Sequence, residues 1–527
     1  MAVCGSYRVG QPSAATLGAL LFTLLAGLAP VAVARYPSLV DFPNHLARHY
    51  IGASIGSSGD LQRYYEYEWR PVANLAGDAL FVPLNLVFSP LGSERIIVGV
   101  AIAAWILAPI ILHRAIWERW SCGPCLGGLV VYNASLRGGL ENFLIASALS
   151  IMTFALWVSW RSRPTPLRIA LFGALATTVY FGHLLAFVVL GLLVAPFEIQ
   201  KAMNRAVPLA SRLGRLMVSA VAFIPGVALF IAFNQTARAA GNAVTSFGGW
   251  HSRLEVMLSA VLMYHPLPDL LAYVGLLGVL AWRLSGRDRV VHPSLALVLL
   301  ALSVASLLAP SILFDIRAIH IRLPPILCAV LVGAIDWRLS DRHWKTVGSI
   351  FVVAMLLRSA SVTKAWLQHG EEVDQLRAGF AELVPGAMVL AAADETADTG
   401  EFHWFSLSYA VVDKQIFTPS LYFDIHMLGV DPAYRRLSRL VALPVEISDL
   451  PYPGGPENMQ TQPGVYWNTW WKDFSHLLVY SREPKKLPFE RRLKLISKGS
   501  FFRLYQIVDS EGAMHAPSGC GHGLHDC

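Results

Sequence analysis

Asn44, His45 and Arg48 follow Asp41 at spacings of three, four and seven in RYPSLVDFPNHLARHY, residues 35 to 50. If the stretch is helical, those spacings put all four side chains on one stripe. A carboxylate, an imidazole and a guanidinium on one stripe offer a proton acceptor, an orienting group and an anion-binding fork. A second group is DIRAIHIR, with Asp315, Arg317, His320 and Arg322 just ahead of an apolar segment that opens on Pro324 and Pro325. Its guanidinium groups suit paired hydrogen bonds to a phosphate, with Asp315 orienting one of them. A third group is spread over SLRGGLENF, where Arg137 lies one turn before Glu141 and Asn142, and YFGHLLAF, which carries His183.

Each of these has a plain structural alternative. Asp41 can cap the helix that begins near Pro43, since Asp favours that position and Pro is tolerated in the first turn. Arg48 can snorkel, His183 can bond between helices, and the DIRAIHIR arginines can anchor to lipid headgroups. Glu141 is the hardest to explain away, because a carboxylate entering an apolar helix needs a partner.

The elements that must position these groups follow from composition. Of 527 residues, 55% are hydrophobic and 15% charged, and the mean hydropathy is +0.49. Lipid must therefore be the solvent for much of the chain. Apolar segments fall near 15–34, 96–112, 123–136, 139–159, 166–182, 184–199, 214–233, 269–283, 293–310, 323–336 and 345–358, predicting about eleven transmembrane helices, two of them short. The net charge of +7 is read through topology, because the arginines are scattered in short loops and line no nucleic-acid-binding face.

WRSRPTPLR, KAMNRAVPLASRLGR, WRLSGRDR and DWRLSDRHWK are the basic loops and belong in the cytoplasm. The N-terminus is then cytoplasmic and the C-terminal part external. This requires NLAGDALFVPLNLVFSPLG, interrupted by Asp78, Pro83 and Asn85, to lie at the interface without spanning. Residues 35–94 form a long first external loop. The ionisable groups, His251 and His265 among them, then fall on one membrane boundary, which predicts a shared external cavity.

The expected domains are a transmembrane region over 1–360, an external α/β domain over 361–510 and a flexible tail over 511–527. AMVLAAAD, QIFTPSLYF, HLLVYS and GSFFRLYQIV read as strands, and EEVDQLRAGFAELV as a helix. Cys122 and Cys125 form CGPC without the strand and helix context of a redox pair. The closing SGCGHGLHDC has metal-capable side chains but nothing to pre-organise them.

An acidic residue in a long first external loop, a bundle of about eleven spans and an external C-terminal α/β domain resemble the GT-C superfamily of membrane glycosyltransferases. DFPNHLAR, GLENFLIASALS, GHLLAF, DIR and GSFFRLYQIV also resemble a group of bacterial multi-spanning membrane proteins. The resemblance implies a bacterial inner-membrane protein with a periplasmic C-terminal domain. Its substrates would be a polyprenyl-phosphate-linked sugar as donor and a glycan or lipid hydroxyl as acceptor. Asp41 matches the superfamily's first-loop acid and would be the catalytic base. No second acid adjoins it, and Glu66 and Glu68 in YYEYEWR are the next carboxylates in the loop. The implied substrate-binding set is His45, Arg48, Glu141, Asn142, His183, Asp315, Arg317 and Arg322. One carboxylate and scattered histidines define no metal site, so a divalent cation stays open. A transporter or lipid flippase, or a catalytically silent scaffold, are the alternatives.

Overall fold

The computed structural model of the chain describes residues 11–161, 163, 165–203, 208–233, 245–249, 253, 256–286, 290–313, 316–394, 400–424, 427–438, 443–451, 467–483, 487, 489 and 492–508. The chain divides into two units. One comprises Met1–Pro37, Arg70–Pro83 and Arg95–Leu367, and the other Ser38–Trp69, Leu84–Glu94 and Gln368–Cys527. Asp315, His251 and the SGCGHGLHDC tail lie outside the described residues.

The first unit is a helical bundle. Seven helices among the described residues are long and apolar enough to cross a membrane, and they begin at Ala14, Pro90, Glu141, Leu184, Leu209, Pro266 and Asp341. Thr165–Gly182 adds an eighteen-residue helix, and Pro293–Leu308 and His320–Ala334 are shorter apolar helices. The helix Ala14–Val33 shows which way the bundle faces. It buries Thr16, Thr23, Ala26, Gly27 and Pro30 while Leu17, Leu21 and Leu25 are 51%, 58% and 63% exposed. Small residues pack inward and leucines face out, which is the pattern of a helix solvated by acyl chains. Hydrogen bonds stitch the interior. Trp105 Nε1 donates to the Leu144 carbonyl, Ser150 Oγ to Ala186 and Trp157 Nε1 to Glu198 Oε1, at 2.8, 2.9 and 2.9 Å.

Two segments are decided by their breakers. Ala76–Asn85 is a ten-residue helix, about half of what the hydrocarbon core requires, so 74–92 is not one spanning helix. Residues 123–136, expected as a short span, are instead a 3-10 helix, Gly123–Val130, followed by the single turn Ala134–Arg137. At one end of this passage Arg119 pairs with Asp336. At the other, Ala134 N–H donates to the Ser259 carbonyl, and Ser259 Oγ donates to Ile321. Asp336 and Ile321 flank the helix Leu323–Ala334, so the passage runs that helix's full length. Irregular backbone at this depth is tolerated because residues 121–133 are all buried in protein. Glycine permits the fit, since a Cβ on Gly123 would stand 2.0 Å from Trp337 Cγ. Gly123→Ala is accordingly expected to destabilise the bundle by about 1–3 kcal/mol, read as a lowered unfolding midpoint in detergent. Cys125 is a buried free thiol, so CGPC is not a disulfide closed on itself.

The second unit carries a five-stranded sheet in the order Val445–Glu446, Val389–Ala393, His476–Tyr480, Phe502–Ile507, Leu493–Lys498. The first three strands pair in parallel and the last two antiparallel. AMVLAAAD, HLLVYS and GSFFRLYQIV thus supply strands. QIFTPSLYF does not, apart from one isolated bridge at Phe417, because its Thr418–Tyr422 backbone bonds side chains instead. The helical reading of EEVDQLRAGFAELV holds as the end of a 39-residue helix, Asp341–Gly379. A small antiparallel pair joins Tyr65–Tyr67 to Leu428–Val430.

The central strand His476–Tyr480 is buried throughout, and burial pushes the His476 imidazole down to about 4. The folded state therefore keeps His476 neutral where an unfolded chain, titrating near 6.5, takes up a proton. Stability from this group is complete above pH ~6.5 and falls as pH drops toward about 4, by up to roughly 3 kcal/mol. An acid series of unfolding midpoints, flattened by His476→Gln, checks this.

Candidate functional site

In the second unit, Asp41 precedes the helix Phe42–Ser54, whose Pro43 lies in the first turn, yet its side chain makes no capping hydrogen bond. The carboxylate instead accepts from Tyr422 Oη at 3.1 Å. Asn44, one turn on, binds the same partner segment, donating from Nδ2 to the Ser420 carbonyl at 3.1 Å and accepting from Tyr422 N–H at 3.4 Å. The helix is thereby clamped to 420–422, and Asp41 is set by Tyr422. Burial, with the Asp41 carboxylate alongside, holds the Tyr422 phenol well above its usual range, so it stays a donor.

Behind half-buried Asp41 runs a buried polar row. His45 accepts its position from the first helical turn, its N–H donating to the Asp41 carbonyl at 2.9 Å, and its ring stacks on His49 at 5.9 Å between centroids. Arg48 is fully buried and its Nη2 lies 3.1 Å from His49 Nε2. A guanidinium only donates, so His49 Nε2 accepts, leaving Nδ1–H to donate to Glu94 Oε2 at 2.8 Å. This order, Arg48 to His49 to Glu94, fixes a neutral imidazole beside His45. The structure places Asn44, His45 and Arg48 on the helix that Asp41 precedes, and sequence reasoning missed three partners of this row. His49, at i+4 from His45, was legible from the same periodicity. Glu94 and Tyr422 carried no local signal.

In the first unit, His183 and Arg322 meet. His183 caps the helix Leu184–Ala202, its Nδ1 accepting from Leu185 N–H at 3.0 Å. The ring's proton is then on Nε2, which faces Arg322 Nη1 at 3.2 Å. An arginine and a histidine side by side are residue types suited to an anion. Phe143 walls the pair, 5.2 Å from the His183 ring and 5.5 Å from the Arg322 guanidinium carbon. Arg322 Nε donates to the Ala318 carbonyl at 3.2 Å, and Ala318 holds a left-handed φ of 62°.

Glu141 opens the helix Glu141–Ser159 and is buried; a carboxylate in a first helical turn is favoured by the helix dipole. Asn142 has both ends of its amide engaged, Oδ1 accepting from Gly77 N–H at 2.6 Å and Nδ2 donating to the Asn74 carbonyl at 3.1 Å. Asn74 in turn accepts from Leu184 N–H at 3.4 Å. Asn142 therefore braces the loop 74–77 between two helix starts. Arg317 is placed in a two-residue strand paired with Ile312–Leu313.

Compared by sequence, the chain matches no family model and no curated protein. Compared by fold, it is similar to the crystal structure of ArnT from Cupriavidus metallidurans bound to undecaprenyl phosphate, with a TM-score of 0.57 at 12% identity, covering 95% of this chain and 100% of that one. The apo oligosaccharyltransferase of Archaeoglobus fulgidus aligns at a TM-score of 0.37 and 12% identity, over 76% of this chain and 64% of that one, and adds nothing further. The first likeness shows that the chain shares the fold of that ArnT structure.

Proposed function

We propose that the chain is a membrane glycosyltransferase that moves a sugar from a polyprenyl-phosphate donor to an acceptor hydroxyl, with Asp41 as general base. The observation that carries this is the Asp41 carboxylate, which makes no capping hydrogen bond and is oriented by a tyrosine whose phenol burial holds well above its usual range. A solved protein of the same fold binds undecaprenyl phosphate. As the acceptor oxygen bonds to the anomeric carbon, its proton passes to Asp41. The bond from that carbon to the phosphate oxygen breaks, and the electron pair leaves with the polyprenyl phosphate. A single displacement inverts the anomeric centre.

Arg48, His49 and Glu94 hold His45 and the first turn behind the base, and Asn142 keeps the Glu141 helix start in place. The same reading puts the N-terminus in the cytoplasm and the C-terminal domain in the periplasm of a bacterial inner membrane. The test is a panel of polyprenyl-phosphate sugars supplied to the full-length protein in lipid, wild type beside Asp41→Asn. Transfer by wild type that collapses in the variant supports the reading. Equal transfer by both removes Asp41 from the chemistry, and lipid movement without sugar transfer makes the protein a flippase.

A further inference from the structure

Outside that machinery, the second unit holds a compact cluster of His369, Glu372 and His403. His369 and Glu372 lie one turn apart on the helix Asp341–Gly379, and His403 closes the 3-10 turn Glu401–His403. One ligand atom from each lies within 4.8 Å of the other two. His403 Nε2 is 2.8 Å from Glu372 Oε2, and the two histidine rings sit 5.0 Å apart at 30°. The surroundings hold these groups in place. Glu372 Oε1 accepts from Arg482 Nη1 at 2.8 Å, Ser406 Oγ lies 3.4 Å from His403 Nδ1, and Phe501 stacks on His403 at 3.8 Å.

A His403 to Glu372 ion pair would account for two of the three residues and leave His369 unexplained. His369 is only 6% exposed, and its ring makes no hydrogen bond among the described residues. A cation beside Glu372 would give that ring a partner.

We propose that His369, Glu372 and His403 bind a divalent transition-metal ion, zinc by ligand type. Two imidazoles and a carboxylate make a three-ligand zinc set that leaves a fourth position for water. Glu372 would bind through Oε2 while Oε1 keeps Arg482, and Ser406 would orient the ring of His403, the usual support for such ligands. The ion takes the place of the proton now between Nε2 and Oε2, which is released to solvent. Such a site would fasten the end of the long helix to the turn that carries His403.

The test uses the full chain in lipid nanodiscs, stripped with chelator, dialysed against zinc and counted by elemental mass spectrometry, with His369→Gln and Glu372→Gln alongside. Wild type should retain about one zinc per chain and the variants at least roughly tenfold less. The cobalt-loaded wild type should give four-coordinate visible bands without the sulfur-to-metal absorption that Cys520 and Cys527 of the tail would produce. No zinc in wild type, equal zinc in the variants, or a thiolate spectrum each overturns the site. Because the cobalt spectrum is read on wild type, a variant that fails to fold does not blunt the experiment.

Discussion

Asp41→Asn is expected to lower sugar transfer by about 10²–10⁴-fold while leaving donor binding nearly unchanged. Asparagine keeps the size of the side chain and an oxygen that accepts from Tyr422 Oη, now 3.1 Å away. Only the capacity to take a proton is lost, so the effect should fall on kcat. Tyr422→Phe separates orientation from basicity. It removes the bond that aims the carboxylate and should cost about 10–100-fold, in line with losing one hydrogen bond to a charged group. Because burial and Asp41 hold the Tyr422 phenol well above its ordinary range, the alkaline limb of the pH–rate profile should not report this tyrosine. Single-turnover kinetics with a saturating donor would check all three statements. A variant with kcat intact and only KM raised would assign Asp41 to binding.

The residues that could be read from sequence are those whose evidence is local. The stretch from Asn44 to Arg48 is helical, as its periodicity says, with Asp41 just ahead of the helix, and most apolar runs became helices near their expected ends, 345–358 as part of the much longer Asp341–Gly379. The interruption of 74–92 was equally plain, although the helix carries Asp78 and Pro83 within it and ends at Asn85. The failures have a common cause in distance or in backbone geometry. Tyr422 is 381 residues from Asp41 and Glu94 is 45 from His49, and no periodicity links them. Residues 123–136 are apolar enough to read as a span, but Gly123, Pro124, Gly127 and Gly128 favour the 3-10 path against Trp337, which hydropathy does not register. QIFTPSLYF has the composition of a strand, yet its backbone is spent on Asn44 and Tyr65, whose hydroxyl donates to the Ile416 carbonyl and accepts from Thr418 N–H at 2.8 and 3.3 Å. Asn142 reads as a polar group entering an apolar helix, and only the structure shows its amide committed to Asn74 and Gly77.

Arg358→Ala should destabilise the bundle by about 3–5 kcal/mol, the largest stability loss expected of any single change here. Arg358 is fully buried on the helix Asp341–Gly379. Its Nη2 donates to the carbonyls of Tyr132 and, at 2.7 Å, Val261, and lies 3.5 Å from Asp269 Oδ1. Tyr132 sits in the irregular passage after the 3-10 helix Gly123–Val130, where no helical N–H is available to its carbonyl. One guanidinium thus satisfies two backbone acceptors and a carboxylate that also receives Met263 N–H at 2.7 Å. Truncation would leave all of these in a water-free interior, where unsatisfied polar groups are most costly. Arg358→Lys should recover part of the loss, because an ammonium keeps the charge but lacks the planar fork. Removing Asp269 as well should also recover part of it: in Arg358→Met with Asp269→Leu, no unpaired carboxylate remains, and the combined loss should fall short of the sum of the singles by about 1–3 kcal/mol. Equilibrium unfolding in mixed micelles measures Arg358→Ala, Arg358→Lys, Arg358→Met, Asp269→Leu and the double variant. If Arg358→Ala unfolds within about 0.5 kcal/mol of wild type, the carbonyls it serves find other donors and the irregular passage does not depend on this arginine.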